Sequence, residues 1–196
     1  MSETAEETTK PRDLESAQAV LEAAAFAAVK HANQRRKGAA AEPYVNHLLE
    51  VAHLISAALS EPDANLLMAA LLHDVIEDTG VTREELAEKF SADVVGLVAE
   101  VTDDKSLPKA ERKRLQVVHA ASISPRAQAI KLADKISNLR AMLTSPPAGW
   151  NWERRKEYFL WARQVVDGLS QPNPILKAEF DRTYAQFDFQ APEEVS

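Results

Sequence analysis

Along most of this chain apolar residues recur every three or four positions, the spacing of one face of an α-helix, and no stretch alternates between hairpin turns. The pattern predicts an all-α fold. An Ala-rich run over 14–36, with Leu21, Phe26 and Val29, suits a long helix that Lys37-Gly38 is expected to stop. After a loop ending at Pro43, the spacing of Val51, Leu54, Ile55 and Ala58 predicts a second helix over 47–59. Pro62-Asp63 opens a third over 64–78, closed by Gly80. Thr82 with Glu85 three positions later is a capping-box signature for a short helix, and Ser91 caps another that runs to Val101. Pro108 and Pro125 sit near the first turns of two more, the second covering 127–143. Pro146-Pro147-Ala148-Gly149 breaks the chain, and helices over 153–170 and 175–187 complete a single-domain bundle without internal repeats.

Composition narrows the classes. A chain of 196 residues, 45% hydrophobic and 27% charged, holds enough apolar material for one core. Residues 1–12 are Glu- and Thr-rich up to Pro11 and are expected to form a disordered tail ahead of a domain over 13–190. No apolar run reaches membrane-span length, and the acidic start lacks the features of a signal peptide, so a cytoplasmic protein is expected. The absence of cysteine excludes disulfides, thiolate catalysis and Cys-ligated zinc. A net charge of −7 argues against nucleic acid or an anionic membrane as partner. Basic residues nevertheless cluster at Arg35-Arg36-Lys37, across 105–114 and at Arg154-Arg155-Lys156, where a small anion could be held.

Chemistry concentrates at Leu71-Leu72-His73-Asp74-Val75-Ile76-Glu77-Asp78-Thr79, which places four ionisable groups within six positions of an apolar helix. On a continuous helix, at about 100° per residue, His73, Asp74, Glu77 and Asp78 fall at roughly 0, 100, 40 and 140°. Val75 and Ile76 then point to the core. Three carboxylates in one arc repel one another, and a divalent cation relieves that repulsion. Further ligands must come from other elements. Tyr44-Val45-Asn46-His47 opens a helix, and Asp134 stands on the largely apolar segment 130–140. Read alone, a His at a helix start is ordinarily a surface or capping residue, and Asp134 an ion-pair partner of Lys131 or Lys135. Periodicity does not join either of them to His73-Asp74.

Six ordered segments make a connection that periodicity does not. Gln34-Arg35-Arg36-Lys37, Pro43-Tyr44-Val45-Asn46-His47, residues 70–79, Val101-Thr102-Asp103-Asp104-Lys105, residues 131–140 and Glu157-Tyr158-Phe159 together resemble the HD hydrolase domain of the Rel/Spo alarmone enzymes, most closely the small stand-alone alarmone hydrolases. The resemblance spans about residues 14–187. It implies that His47, His73, Asp74 and Asp134 bind one divalent metal, usually manganese, and that Glu77 and Asp78 orient or deprotonate water. It also implies a guanosine tetra- or pentaphosphate substrate that loses its 3′-pyrophosphate. On the same basis Arg36 lies against guanine, Lys37 faces phosphate, Asn138 lies near the ribose, Lys109, Arg154 and Tyr158 reach the distal phosphates, and Tyr44 joins the substrate-binding set.

Two-His, two-Asp ligation suits an open Mn²⁺ or Fe²⁺ site better than a closed structural zinc. Two departures from the family pattern stand out: Leu48 replaces the usual Pro after the first metal-binding His, and the loop 38–42 is Ala-rich rather than polar. Two other functions share this sequence pattern, removal of the 2′-phosphate of NADPH and catalytically silent nucleotide sensing. Retention of all four ligand positions and the Glu-Asp pair weighs against the sensor. Oligomeric state is left open. His31, His53 and His119 have no motif role, and His31 is expected outside the metal shell.

Overall fold

The computed structural model describes residues 12–61 and 63–190. Of the tail expected over 1–12, only Arg12 is described, and it opens the first helix; Pro62 is likewise outside the described residues. Ten helices follow in chain order among the described residues: α1 Arg12–Lys30, α2 Val45–Ala58, α3 Ala64–Leu72, α4 Val75–Thr79, α5 Arg83–Ala87, α6 Ala92–Val101, α7 Lys109–His119, α8 Pro125–Thr144, α9 Trp152–Asp167 and α10 Pro174–Tyr184. Among the described residues there is no strand, and backbone bridging is limited to Arg35 with Pro43 and Gly38 with Pro147. The all-α expectation therefore holds.

Local chemistry starts most of these helices where the sequence suggests. The side chains of Asp63, Thr82, Ser91 and Ser124 accept backbone N–H bonds from the first turns of α3, α5, α6 and α8. Asn151 and Asn173 do the same for α9 and α10. Pro125 and Pro174 occupy first-turn positions, where a missing N–H costs nothing. Gly80 closes α4 with φ +77°, a left-handed conformation that side chains resist.

Two boundaries differ from expectation. α1 ends at Lys30 rather than near Arg36, because the following backbone pairs with the segment before α2: Arg36 N–H donates to Glu42 C=O and Tyr44 N–H to Gln34 C=O. Gln34 to Lys37 are thereby laid along the cavity described below instead of continuing the helix. The predicted helix over 64–78 is also interrupted. His73 ends α3 and Asp74 opens α4, so the single-arc geometry does not apply; the four ionisable groups sit around a joint between two helices. Smaller differences fall at helix ends, as at α10, which stops at Tyr184 rather than Phe187.

α8 is the axis of the fold, packing against α2, α3, α6, α9 and α10. Ile130, Leu132, Ala133, Ile136 and Leu139 are fully buried there, so apolar contacts surround Asp134 and Ser137. Leu48 is also fully buried; at this position the chain gains core packing where the family pattern has a Pro. On the far side, Phe159 stacks on Phe187 at 4.3 Å, with Tyr184 and Phe189 around it, tying α9 to the end of the chain. Phe159→Ala is expected to cost about 3–5 kcal/mol of stability, read from urea unfolding. A loss below about 1 kcal/mol, the scale of a volume-conserving core swap, would show that this cluster does not hold the domain together.

Candidate metal and anion site

α2, the α3–α4 joint and α8 each contribute side chains to one point. His47 Nε2 lies 3.3 Å from Asp134 Oδ1 and 3.6 Å from Asp74 Oδ2. His73 Nε2 lies 3.1 Å from Asp74 Oδ2 and 3.9 Å from Asp134 Oδ1. Ligand atoms of His47, His73 and Asp134 all fall within 4.8 Å of one another, a spacing that one ion can bridge. Both imidazoles are buried, and both Nε2 atoms lack a hydrogen-bond partner. A buried polar nitrogen without a partner is costly, and two of them facing two carboxylates fit a divalent cation.

Electrostatics reinforce the fit. Burial alone would depress His73, but Asp74 and Asp134 overcome it and push the imidazole up to about 9. Burial likewise opposes ionisation of Asp74 and Asp134, yet the neighbouring histidines, and Lys135 beside Asp134, hold both carboxyls well below the usual carboxylate range. Both acids are thus anionic and ready to ligate. The two histidines are oriented differently. His73 Nδ1 donates to the Ala70 carbonyl at 2.8 Å, whereas His47 Nδ1 lies 2.8 Å from Ser137 Oγ. Asp74 accepts from the Tyr44 hydroxyl at 2.5 Å, and Asp134 from Asn138 Nδ2 at 2.5 Å and Lys135 Nζ at 2.9 Å.

Above this cluster opens a cavity of about 510 Å³. Its lining includes every sequence-predicted site residue except His47 and His73, which lie buried beneath it. Glu77 is half-buried; burial together with Asp103 and Asp74 raises its carboxyl above the ordinary glutamate value. Asp103 N–H and Arg112 Nη1 donate to it, each at 3.3 Å. Asp78 accepts from Lys105 Nζ at 2.6 Å and Gln34 Nε2 at 2.8 Å. Arg36 Nη2 donates to Asn138 Oδ1 at 3.1 Å, Arg154 stacks on Trp150 at 4.3 Å, and Tyr158 packs against Trp161 at 5.3 Å. Tyr44 lines the cavity, but its hydroxyl is committed to Asp74.

Although the whole chain is acidic, nine basic and six acidic side chains line this cavity. Lys105 and Arg112 are neutralised by Glu77 and Asp78, whereas Lys37, Lys109 and Arg154 form no ion pair among the described residues. Burial and the mutual repulsion of Lys109 with Lys37, Arg154 and Arg112 lower the Lys109 pKa. Uncompensated cations brought this close destabilise the free protein and are relieved by an anion carrying several charges. Sequence reasoning flagged these basic clusters but missed Gln34, Lys135, Trp150 and Trp161 as lining residues. Lys135 pairs with Asp134, as its position next to it allows, but does so as a buried lysine with the Trp161 ring 4.6 Å away. His31 lies outside the cluster, stacked on Tyr44 at 5.1 Å with Nδ1 against Gln34 Oε1. No helix among the described residues is long and apolar enough to cross a membrane.

Comparison with known proteins agrees with this geometry. The guanosine-3′,5′-bis(diphosphate) 3′-pyrophosphohydrolase MESH1 of Drosophila melanogaster is 50% identical over 166 residues, covering 85% of this chain and 93% of the relative. The Homo sapiens protein of the same name is 49% identical over 167 residues, covering 85% and 93%. A solved structure described as a metazoan ortholog of SpoT that hydrolyses ppGpp superposes with a TM-score of 0.83 at 48% identity, covering 91% of this chain and 97% of that one. The HD domain pattern itself matches residues 23–159, a span that contains the whole convergent cluster of His47, His73, Asp74 and Asp134, and the chain accordingly belongs to the HD domain family.

Proposed function

We propose that this protein is a manganese-dependent hydrolase that removes the 3′-pyrophosphate of guanosine tetra- or pentaphosphate, returning GDP or GTP. The observation that carries the reading is the pairing of the His47, His73 and Asp134 group, with Asp74 beside both imidazoles, with a cavity whose unpaired cations suit a polyphosphate. Relatives of half identity named for this activity, spanning nearly their full length, give the substrate class its support.

His47, His73, Asp74 and Asp134 would hold the ion. Mn²⁺ suits this donor set because it accepts mixed imidazole and carboxylate ligands and retains open positions. When bound, such an ion polarises a phosphoryl oxygen and brings the pKa of water toward neutrality. The protein's own groups do the rest. Glu77, with its raised proton affinity, takes a proton from the attacking water, and Asp78, held by Lys105 and Gln34, orients it. The water oxygen adds to the phosphorus on the 3′ position, and the ribose 3′-oxygen leaves and acquires a proton. Lys37, Lys109 and Arg154 neutralise phosphate charge, Tyr158 contacts the distal phosphates, and Arg36, steered by Asn138, lies against the base while Asn138 faces the ribose. Tyr44 acts mainly by fixing Asp74.

The test is a substrate panel. Purified protein with Mn²⁺ is expected to release pyrophosphate from guanosine tetraphosphate and none from GTP. Orthophosphate from NADPH in its place would reassign the chain to 2′-phosphatase chemistry. Tight nucleotide binding without any release would make it a sensor.

A further inference from the structure

A chain of hydrogen bonds runs outward from His47, away from the cavity. His47 Nδ1 lies 2.8 Å from Ser137 Oγ, which lies 2.6 Å from Glu50 Oε2. Glu50 Oε1 accepts from Arg140 Nη1 at 2.9 Å, and Arg140 Nη2 donates to Glu179 Oε1 at 2.7 Å. Glu50 lies on the turn of α2 after His47, and Ser137 and Arg140 lie on the turns of α8 after Asp134. The chain therefore links the two helices that also meet at the candidate metal cluster. Ser137 is fully buried, so its single hydroxyl proton must go to a protein acceptor.

Proton bookkeeping decides the direction. Burial works against ionisation of Glu50, but bonds from Ser137 and Arg140 overcome it and hold the carboxyl below its usual range. An ionised carboxylate only accepts, so Ser137 donates to Glu50 and its oxygen must accept from His47 Nδ1–H. His47 is thereby held with its proton on Nδ1 and its Nε2 lone pair facing Asp74 and Asp134, where Nε2 has no hydrogen-bond partner.

From this geometry we infer that Ser137, Glu50 and Arg140 form a positioning relay that fixes the His47 tautomer for cation binding. The inference rests on the reading of His47 as a metal ligand, and it extends that reading to residues remote from substrate. A carboxylate one hydroxyl removed from the imidazole fixes the orientation and tautomer of the ring through that hydroxyl.

Glu50→Gln makes a sharp test because Arg140 sets the outcome. Arg140 can only donate, so the amide oxygen of Gln must face it, leaving the amide NH₂ toward Ser137. Ser137 then donates to His47 Nδ1, and the ring proton moves to Nε2, where it blocks the cation. In the metal-free native chain, ¹⁵N NMR of His47 is expected to show the Nδ1–H form, and in Glu50→Gln the Nε2–H form. Titration with Mn²⁺ is expected to show affinity weakened about 10- to 100-fold in Glu50→Gln and in Ser137→Ala, with Glu50→Asp restoring part of it. Ser137→Ala provides the second arm if Glu50→Gln folds poorly, as judged by circular dichroism. An Nε2–H ring in the native chain, or unchanged affinity and tautomer in Glu50→Gln, would overturn the relay alone. Failure of the native chain to bind any divalent cation would overturn the metal reading, and the relay with it.

Discussion

Asp134→Asn is expected to abolish turnover, by roughly 10³-fold or more, the kinetic equivalent of at least about 4 kcal/mol, and to remove Mn²⁺ binding in isothermal titration. The substitution keeps shape and removes one anionic donor, leaving an ion with Asp74 as its sole carboxylate. It carries a second cost. Lys135, 3% exposed, loses its partner at 2.9 Å and stays charged in the protein interior. Breaking a buried pair costs about 3–5 kcal/mol; because Asp103 also attracts Lys135, about 3 kcal/mol is expected here. Asp74→Asn separates the two effects, since it removes a carboxylate from the same point while the Lys135–Asp134 pair remains. Both variants are expected to lose the cation, and only Asp134→Asn to melt much earlier. Native turnover and metal content in either would detach that carboxylate from the metal cluster.

The second large effect is expected at Glu77 and Asp78, with the opposite signature. Both line the cavity beside the cluster, and neither belongs to the convergent ligand group. Glu77→Gln and Asp78→Asn are expected to bind Mn²⁺ with native affinity while turnover falls about 10²- to 10⁴-fold, the range for losing a general acid–base group. The loss should lie in kcat, because the cations that hold phosphate are untouched. Lys105 is released from Asp78 in the second variant, so any fall in KM there would mark tighter phosphate binding by that lysine. Unchanged rates in both variants would remove the pair from the mechanism.

Interactions confined to one helical turn are legible in the sequence, and those that close between distant segments are not. Caps such as Thr82 and Ser91 act within one turn, so they were legible and their helices begin where expected. The stop of α1 was not, because it depends on Gln34 pairing with Tyr44 across a loop rather than on a breaker. Nor was the joint at His73-Asp74: no Gly or Pro breaks Leu-Leu-His-Asp-Val-Ile, and the interruption shows only once the two side chains face His47 and Asp134. The metal cluster was found by resemblance, since no periodicity links positions 47, 74 and 134. The burial of Lys135 and the Ser137–Glu50 chain were invisible for a related reason. A lysine or serine on an apolar helix carries no mark of burial until neighbouring helices close around it.

The helix joint at His73-Asp74 has a thermodynamic corollary. An ion gripped there, at α2 and at α8 would fasten segments 87 residues apart in sequence (47 to 134), and its binding energy would count toward folding. At a free-ion level 100 times the dissociation constant that contribution is about 2.7 kcal/mol. The half-life of this protein against proteolysis would then follow the divalent-ion supply of its surroundings, coupling abundance to metal availability without any dedicated sensor.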